Sequence, residues 1–281
     1  MSTSANRLLE LLERGIVPLG MQCFTADPAL IEVLGLTGFD FVMLDTEHCG
    51  TNPRAIEPAV RVADAAGLVA LVRVPSHDDD VSIRRAFEAG AAGVFLPMVR
   101  SVADVEAALD AALFPPAGTR GICPAVRAAG YSFSGFREYA ERSNAEALVI
   151  PLIEHPDAVE AIEAICALER VKLIAFGAGD LAYAMGEGTQ MLNGPKVQAA
   201  YRRVLAAARE HVVAVIGGPV LDATAAACRK ALEDGVTVFC LGLDVLGFRR
   251  FCEDTVDALH AGVAGTSFSR PKPPLSAFPV R

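Results

Sequence analysis

The chain has 281 residues, a formal net charge of −9 and a hydrophobic fraction of 52%, which is enough for one large core or two small ones. The acidic balance and the lack of a Lys/Arg cluster argue against nucleic acid or an acidic membrane as a partner, and no apolar run approaches the roughly 18 to 20 residues of a membrane span. Seven cysteines without a C-x-x-C pair are typical of a reducing compartment, so we expect a cytoplasmic location.

The predicted elements alternate along the chain. An N-terminal amphipathic helix carries Leu8, Leu9, Leu11 and Leu12 on one face. After it, short runs rich in Val, Ile, Leu and Phe predict strands buried on both faces, at 17–23, 40–45, 69–74, 93–97, 148–153, 172–177, 212–217 and 236–242. Segments with apolar residues at helical spacing follow them, at 28–36, 54–66, 81–89, 102–113, 156–168, 197–210, 223–234 and 246–260.

Eight strands that alternate with eight helices predict an α/β fold of the (β/α)8 TIM-barrel type. A doubly wound sheet is the alternative, but Gly20-Met21-Gln22-Cys23 at the end of the first strand offers no glycine-rich turn of a dinucleotide site. We therefore predict one catalytic barrel domain over residues 1–266, followed by an extended, proline-rich C-terminal arm over 267–281.

Local signals mark some of the boundaries. Ser101 is expected to cap the fourth of these helices, Asp157 the fifth, and Gly235 to end the seventh. Residues 114–147 form a long insertion between the fourth and fifth strands, and insertions of this length are often functional, for example as lids.

Polar residues cluster where the predicted strands end, which in a TIM barrel is where the active site lies. They are Gln22, Asp45, Glu47, His48, Arg73, Glu154 and Asp180. Glu154 and Asp180 are expected to close neighbouring strands, about 4.8 Å apart. Two carboxylates at that distance repel each other unless a cation lies between them. Oxygen ligands favour Mg²⁺ or Mn²⁺, so the pair predicts a divalent metal site.

His48 is the candidate general base, because imidazole titrates near neutral pH and Asp45 and Glu47 are close to it in sequence. Arg73 ends an otherwise apolar strand and needs an anionic partner. That partner is either Asp45 or Glu47, or it is a substrate carboxylate or developing enolate oxygen.

Several of these segments together resemble the HpcH/HpaI family of metal-dependent class II pyruvate aldolases. The matching segments are 38–48 (GFDFVMLDTEH), 72–75 (VRVP), 93–99 (GVFLPMV), 115–121 (PPAGTRG), 153–154 (IE), and 179–181 (GDL) with 185–186 (MG). They span roughly residues 15 to 260 in the order of the family.

The resemblance implies cleavage of a 4-hydroxy-2-oxo acid to pyruvate and an aldehyde through a metal-bound pyruvate enolate. It implies Mg²⁺ or Mn²⁺, with Co²⁺ as a third candidate, held by Glu154 and Asp180, and substrate contacts from Gln22, Ala178, Gly179 and Asp180. Arg73 would hold the ketone oxygen and His48 would be the base. An acidic residue from a neighbouring subunit, Glu88 here, would lie beside that histidine. A homo-oligomer is also implied, usually a hexamer built as a trimer of dimers, in which paired subunits swap the last helix.

The sequence departs from the family where the aldehyde is received, for example at Leu152, where relatives commonly carry glutamine. Other activities of the scaffold therefore stay open: a citrate-synthase-like or acyl-CoA-lyase-like condensation with oxaloacetate as donor or acceptor, or a non-catalytic small-molecule-binding barrel. The last alternative predicts the loss of a metal ligand or of Arg73, and all three residues are present.

Overall fold

The computed structural model describes residues 4–50, 53–218 and 223–268, and in this part of the chain eight parallel strands close into a barrel in sequence order. The strands are β1 (Leu19–Cys23), β2 (Phe41–Asp45), β3 (Val69–Arg73), β4 (Gly93–Leu96), β5 (Leu148–Ile153), β6 (Leu173–Phe176), β7 (Ala214–Gly217) and β8 (Val238–Leu243). Each overlaps the run of apolar residues that predicted it, so the predicted TIM barrel is confirmed.

Helices precede, separate and follow these strands along the chain. They are α1 (Ser4–Glu13), α2 (Pro28–Leu36), α3 (Pro53–Ala65), α4 (Asp80–Ala89), α5 (Val102–Ala112), α6 (Phe136–Glu146), α7 (Pro156–Glu160), α8 (Ile162–Cys166), α9 (Ala178–Ala184), α10 (Pro195–Glu210), α11 (Ala225–Asp234) and α12 (Asp244–Val263). Short 3-10 helices lie at Arg127–Ala129 and Gly188–Asn193. The insertion at 114–147 thus contains α6, and the helix predicted over 156–168 is two short helices.

The predicted helix ends are partly confirmed. Ser101 caps α5 in a capping box with Asp104, and Gly235 ends α11 in the left-handed conformation. The prediction that Asp157 caps the fifth helix is wrong. Asp157 already lies in the first turn of α7, and the residue before that turn, His155, caps the helix by accepting a hydrogen bond from the Asp157 amide at 3.2 Å.

Side chains alternate between the barrel interior and the layer beneath the helices. The interior is filled by Phe41, Met43, Leu71, Phe95, Ile150, Leu152, Leu173, Ile216, Val238 and Cys240. Gly20 faces this packing, where an added Cβ would lie 2.2 Å from the ring of Phe41. Leu8 of α1 is fully buried in the same cluster, so the N-terminal helix packs against the barrel interior. Since α1 also contacts the residues that precede β2 and β3, it lies at the end of the barrel opposite the strands' carboxyl ends.

The described chain divides into two compact units, Met1–Asp244 and Val245–Arg281. The first contains the whole barrel. The second begins in α12, which buries none of its residues. The single domain over 1–266 stays a prediction, and residues 269–281 of the predicted C-terminal arm lie outside the described residues. Among the described helices, none is long and apolar enough to cross a membrane.

Candidate active site

A buried ion pair connects the ends of β2 and β3. Asp45 and Arg73 are the last residues of these strands and are paired in the strand register, so their side chains leave the sheet side by side. Arg73 donates from Nε to Asp45 Oδ1 at 2.8 Å and from Nη2 to Oδ2 at 2.9 Å. Burial raises the pKa of Asp45, but the guanidinium and the backbone amides of Glu47 and His48 together hold that pKa below its ordinary value. Of the two kinds of partner predicted for Arg73, the protein's own carboxylate is therefore present in the structure.

The turn after β2 brings Glu47 and His48 to the same guanidinium. The Asp45 carboxylate accepts hydrogen bonds from the backbone amides of Glu47 at 3.0 Å and His48 at 3.2 Å. Glu47 Oε2 lies 3.2 Å from Arg73 Nη1 and 3.4 Å from His48 Nε2, so it stands between the guanidinium and the imidazole. Burial and the charges of Asp45 and Asp180 raise the pKa of Glu47, although Arg73 and His48 act in the opposite direction.

Glu154 follows β5 directly, and its side chain is 4% exposed. Its Oε1 accepts a hydrogen bond of 2.7 Å from the backbone amide of Met98. Its Oε2 faces Gly177, where an added Cβ would lie 2.7 Å from this oxygen. The pKa of Glu154 is raised to about 7, chiefly by burial and also by the charges of Glu47 and Asp180, while the Met98 amide and Arg73 act in the opposite direction.

Asp180 does not end a strand, so that prediction is wrong. Strand β6 ends at Phe176, and Asp180 lies in the first turn of α9 because the chain turns into a helix immediately after Gly177. The prediction that Asp180 lies near Glu154 does not depend on that placement. Its charge raises the pKa of both Glu154 and Glu47, so the three carboxylates share one electrostatic environment. The carboxylate of Asp180 is exposed and makes no hydrogen bond to the described residues.

This environment fits a divalent cation. The charges of Asp45, Glu47 and Glu154 act on the guanidinium of Arg73, and the charge of Asp180 acts on Glu47 and Glu154, so the carboxylates of this cluster outnumber its guanidinium. Glu47 Oε2 is buried and makes no hydrogen bond to the described residues. No group of three or more His, Cys, Asp or Glu side chains in the described chain is arranged to hold a metal ion by itself. A cation at Glu154 and Asp180 would therefore need further oxygen ligands from water or substrate, as Mg²⁺ commonly does.

The remaining predicted residues lie at different distances from this cluster. Gln22 is half-buried on β1, and its side chain makes no hydrogen bond to the described residues. Ala178 and Gly179 begin α9, and a Cβ added at Gly179 would meet nothing within 4 Å, which leaves open space beside Asp180.

Glu88 lies apart from this cluster. It lies on α4, 3.9 Å from Arg84, and lines a cavity of about 300 Å³ with Thr46, Arg85 and Tyr131. Within one copy of the described chain, it makes no hydrogen bond or ion pair with His48.

Sequence reasoning missed several groups that shape the site. The amide of Met98 is a backbone donor, so the type of the residue gives no signal of it. The ring of Phe24 lies 5.8 Å from Arg73 Cζ. Asp244, at the start of α12, accepts hydrogen bonds of 3.0 Å from the amides of Phe24 and Thr25 and so fixes the turn after β1. The sequence signal that could have identified Asp244 is that it is an acidic residue just after the predicted eighth strand.

Comparison with known proteins gives consistent relatives. Residues 19–250 match the family described as HpcH/HpaI aldolase/citrate lyase. A 5-keto-4-deoxy-D-glucarate aldolase of Klebsiella pneumoniae is 31% identical over 255 residues, which are 90% of this chain and 96% of that protein. The structure of an HpcH/HpaI aldolase from Desulfitobacterium hafniense matches with a TM-score of 0.84 and 27% identity, over 94% of this chain and 99% of its own. The citrate synthase SbnG matches with a TM-score of 0.81 and 26% identity, over 91% and 98% of the two chains.

Proposed function

The chain belongs to the HpcH/HpaI aldolase/citrate lyase family, and we propose that within this family it is a metal-dependent enzyme that cleaves a 4-hydroxy-2-oxo acid reversibly to pyruvate and an aldehyde. The predicted family and the predicted enzyme class, an aldehyde-lyase, are confirmed by the relatives. The metal, the pyruvate product and the roles of the residues are parts of the proposal. The main support for the proposal is that the buried Glu154 carboxylate interacts electrostatically with Glu47, Asp180 and Arg73 at one end of the barrel.

In this proposal Glu154 and Asp180 hold Mg²⁺ or Mn²⁺, with Co²⁺ as a third candidate. A divalent cation there would act as a Lewis acid that polarises the keto group of the substrate. Ala178 and Gly179 would line the space that receives the substrate, together with Gln22 on β1. The pairing with Asp45 keeps the guanidinium of Arg73 in a fixed orientation, and Arg73 would stabilise the negative charge that the keto oxygen gains as the enolate forms.

His48 is the proposed base. In cleavage it would take the proton of the C4 hydroxyl, through a water, while the C3–C4 bond breaks to give the aldehyde and the pyruvate enolate. A proton then returns to C3 and completes the methyl group of pyruvate. The side chain of His48 is 54% exposed, so solvent can exchange its proton, and Glu47 at 3.4 Å would stabilise the charged imidazolium. We propose that Glu88 of a neighbouring copy adds a second carboxylate beside His48.

The decisive experiment is proton exchange at the methyl group of pyruvate, because it needs no knowledge of the aldehyde. In D₂O with Mg²⁺, the protein is expected to remove the methyl ¹H NMR signal of pyruvate, and EDTA should stop the exchange. In the cleavage direction, lactate dehydrogenase would report pyruvate released from a panel of 4-hydroxy-2-oxo acids that includes 5-keto-4-deoxy-D-glucarate, the substrate in the name of the Klebsiella relative. If the protein neither exchanges the methyl protons of pyruvate nor releases pyruvate from any member of the panel, the proposal is contradicted.

A second candidate is supported by the similarity to the citrate synthase SbnG. A condensing enzyme on this scaffold would use oxaloacetate as donor or acceptor and an acyl donor such as acetyl-CoA. The two activities are distinguished by incubating the protein with Mg²⁺, oxaloacetate and acetyl-CoA and measuring citrate. Citrate formation without exchange of the pyruvate methyl protons would favour this alternative.

We also propose that the protein is a homo-oligomer, a hexamer built as a trimer of dimers. Two apolar helix faces support an assembly. On α12 the exposed side chains include Phe248 at 67%, Phe251 at 65% and Leu259 at 44%. On α2, Leu30, Val33 and Leu36 form an exposed stripe at a spacing of three residues. Exposed apolar faces of this kind commonly mark interfaces between proteins.

The raised pKa of Glu154 predicts that the metal-free protein loses stability as pH rises. The unfolded carboxyl group releases its proton near pH 4.5, whereas the folded one keeps it until about pH 7. Between pH 4.5 and pH 7 the free energy of unfolding therefore decreases, by roughly 3 kcal/mol for this group, and above pH 7 it stays at the lower value. The substitution Glu154→Gln removes the charge. In EDTA, the variant should be more stable than the wild type at pH 8, and this difference should shrink towards pH 5. A difference that does not change with pH would contradict the prediction.

A further inference from the structure

A single peptide unit, that of Pro97 and Met98, takes part in two hydrogen bonds outside the sheet. Its amide, from Met98, donates to Glu154 Oε1 at 2.7 Å. Its carbonyl, from Pro97, accepts from the imidazole Nδ1 of His77 at 3.2 Å. A carbonyl oxygen can only accept, so Nδ1 of His77 carries the proton. The imidazole and the Glu154 carboxylate are thus connected through one rigid peptide plane.

The orientation of this peptide is not one that the backbone adopts freely. Met98 has a φ of 52°, in the left-handed region that costs energy for a residue with a Cβ atom. Such a conformation persists where the surrounding structure holds it. Among the described residues, the two hydrogen bonds from His77 and to Glu154 hold the two polar ends of this peptide.

His77 is itself fixed by its surroundings. It lies in the loop between β3 and α4, and the side chain of Asp79 in the same loop caps α4 by accepting from the Ser82 amide at 2.9 Å. The side chain of His77 is 23% exposed, and its Nε2 faces Asp104 Oδ1 at 3.9 Å. Asp104 is held by the backbone amides of Arg100 and Ser101 at the start of α5, at 2.8 and 2.9 Å. The imidazole therefore stands between a fixed carboxylate and the Pro97 carbonyl.

We infer that His77 is a positioning residue for Glu154, acting through the Pro97–Met98 peptide to tie Oε1 to the loop after β4 and leave Oε2 for a divalent cation. This inference rests on the proposed metal site. Oε2 is the oxygen that faces Gly177, three residues before Asp180, so it lies on the side of the second proposed ligand. Residues that orient a metal ligand typically change metal affinity by 10- to 100-fold when they are lost.

Three substitutions of His77 separate its hydrogen bond from its bulk. In His77→Asn the side-chain NH₂ can take the place of Nδ1–H. In His77→Gln the amide reaches the place of Nε2 instead, which faces Asp104 and not Pro97. In His77→Ala neither donor remains. Free Mn²⁺, measured by electron paramagnetic resonance during titration, gives the affinity of each variant without any substrate, and Glu154→Gln serves as the control that removes the ligand itself.

We expect His77→Ala and His77→Gln to bind Mn²⁺ at least about tenfold more weakly than the wild type, and His77→Asn to restore most of the affinity. Crystal structures of the metal-free variants should show the Pro97–Met98 peptide turned away from Glu154 in the alanine variant and retained in the asparagine variant. Wild-type affinity in His77→Ala, or equal losses in the asparagine and glutamine variants, would overturn the inference. Wild-type protein that binds no Mn²⁺ would instead overturn the proposed metal site, so the two failures are distinguishable.

Discussion

The substitution Glu154→Gln is expected to abolish Mn²⁺ binding and to lower kcat/KM by at least about 10³-fold. Glutamine preserves the size of the side chain and can still accept the hydrogen bond from Met98, but it removes the negative charge that would hold the cation. A Lewis acid contributes several kcal/mol of charge stabilisation in reactions of this type, and each 1.4 kcal/mol is a factor of ten in rate. Metal binding is measured by Mn²⁺ titration, and activity by coupled pyruvate release.

Glu187 provides a matched control on the same chain. It is also a buried glutamate, 9% exposed, and its carboxylate accepts hydrogen bonds from the amides of Lys196 at 2.9 Å and Val197 at 3.0 Å at the start of α10. Glu187→Gln should bind Mn²⁺ with wild-type affinity. If both variants lose the metal to the same extent, the loss reflects damage to the fold. If Glu154→Gln keeps full affinity, Glu154 is not a ligand.

The substitution Arg73→Ala is expected to keep Mn²⁺ binding but to lower kcat by at least ~10²-fold, the usual effect of removing one donor to a developing oxyanion. It should also destabilise the protein by about 3 to 5 kcal/mol, because it leaves the fully buried Asp45 carboxylate without its partner. The two effects have different origins. Steady-state kinetics measures the first, and urea denaturation followed by circular dichroism measures the second.

A double substitution separates the loss of activity from the loss of stability. Arg73→Met with Asp45→Asn replaces the buried ion pair by neutral groups of similar size, and such replacements are often neutral for stability. We expect the double variant to recover most of the stability of the wild type while kcat stays at least ~10²-fold low. A double variant that recovers both would show that Arg73 acts only through the fold, in contradiction of the proposed role at the keto oxygen.

Much of the site could be predicted from the sequence because the TIM barrel brings strand ends together. Asp45, Arg73 and Glu154 each follow or end an apolar run, and the structure places all three at the same end of the barrel. Asp180 shows the limit of this reasoning. The apolar pattern locates the strand, but the short segment after it can continue as strand, loop or helix, and here it begins α9.

Glu88 is a residue whose predicted partner lies on another subunit. The resemblance to the family predicts it beside the histidine of a neighbouring copy, and within one chain its carboxylate lies 3.9 Å from Arg84 on α4. Side chains that act across an interface leave no signal in the local pattern of their own helix. The exposed face of α12 is a similar case. Its apolar residues recur with a helical period, but they have no packing partner in the described part of the unit Val245–Arg281.

The sequence by itself determined the order of strands and helices, the barrel and the acidic and basic residues at the strand ends, because side-chain period and residue type are local properties of the chain. Only the tertiary structure decided which groups meet: Arg73 with both Asp45 and Glu47, and Glu154 with the amide of Met98. The reason is that a backbone amide has the same chemistry at almost every residue. Its direction is set by the φ angle and by the neighbouring loops, and neither can be read from residue type.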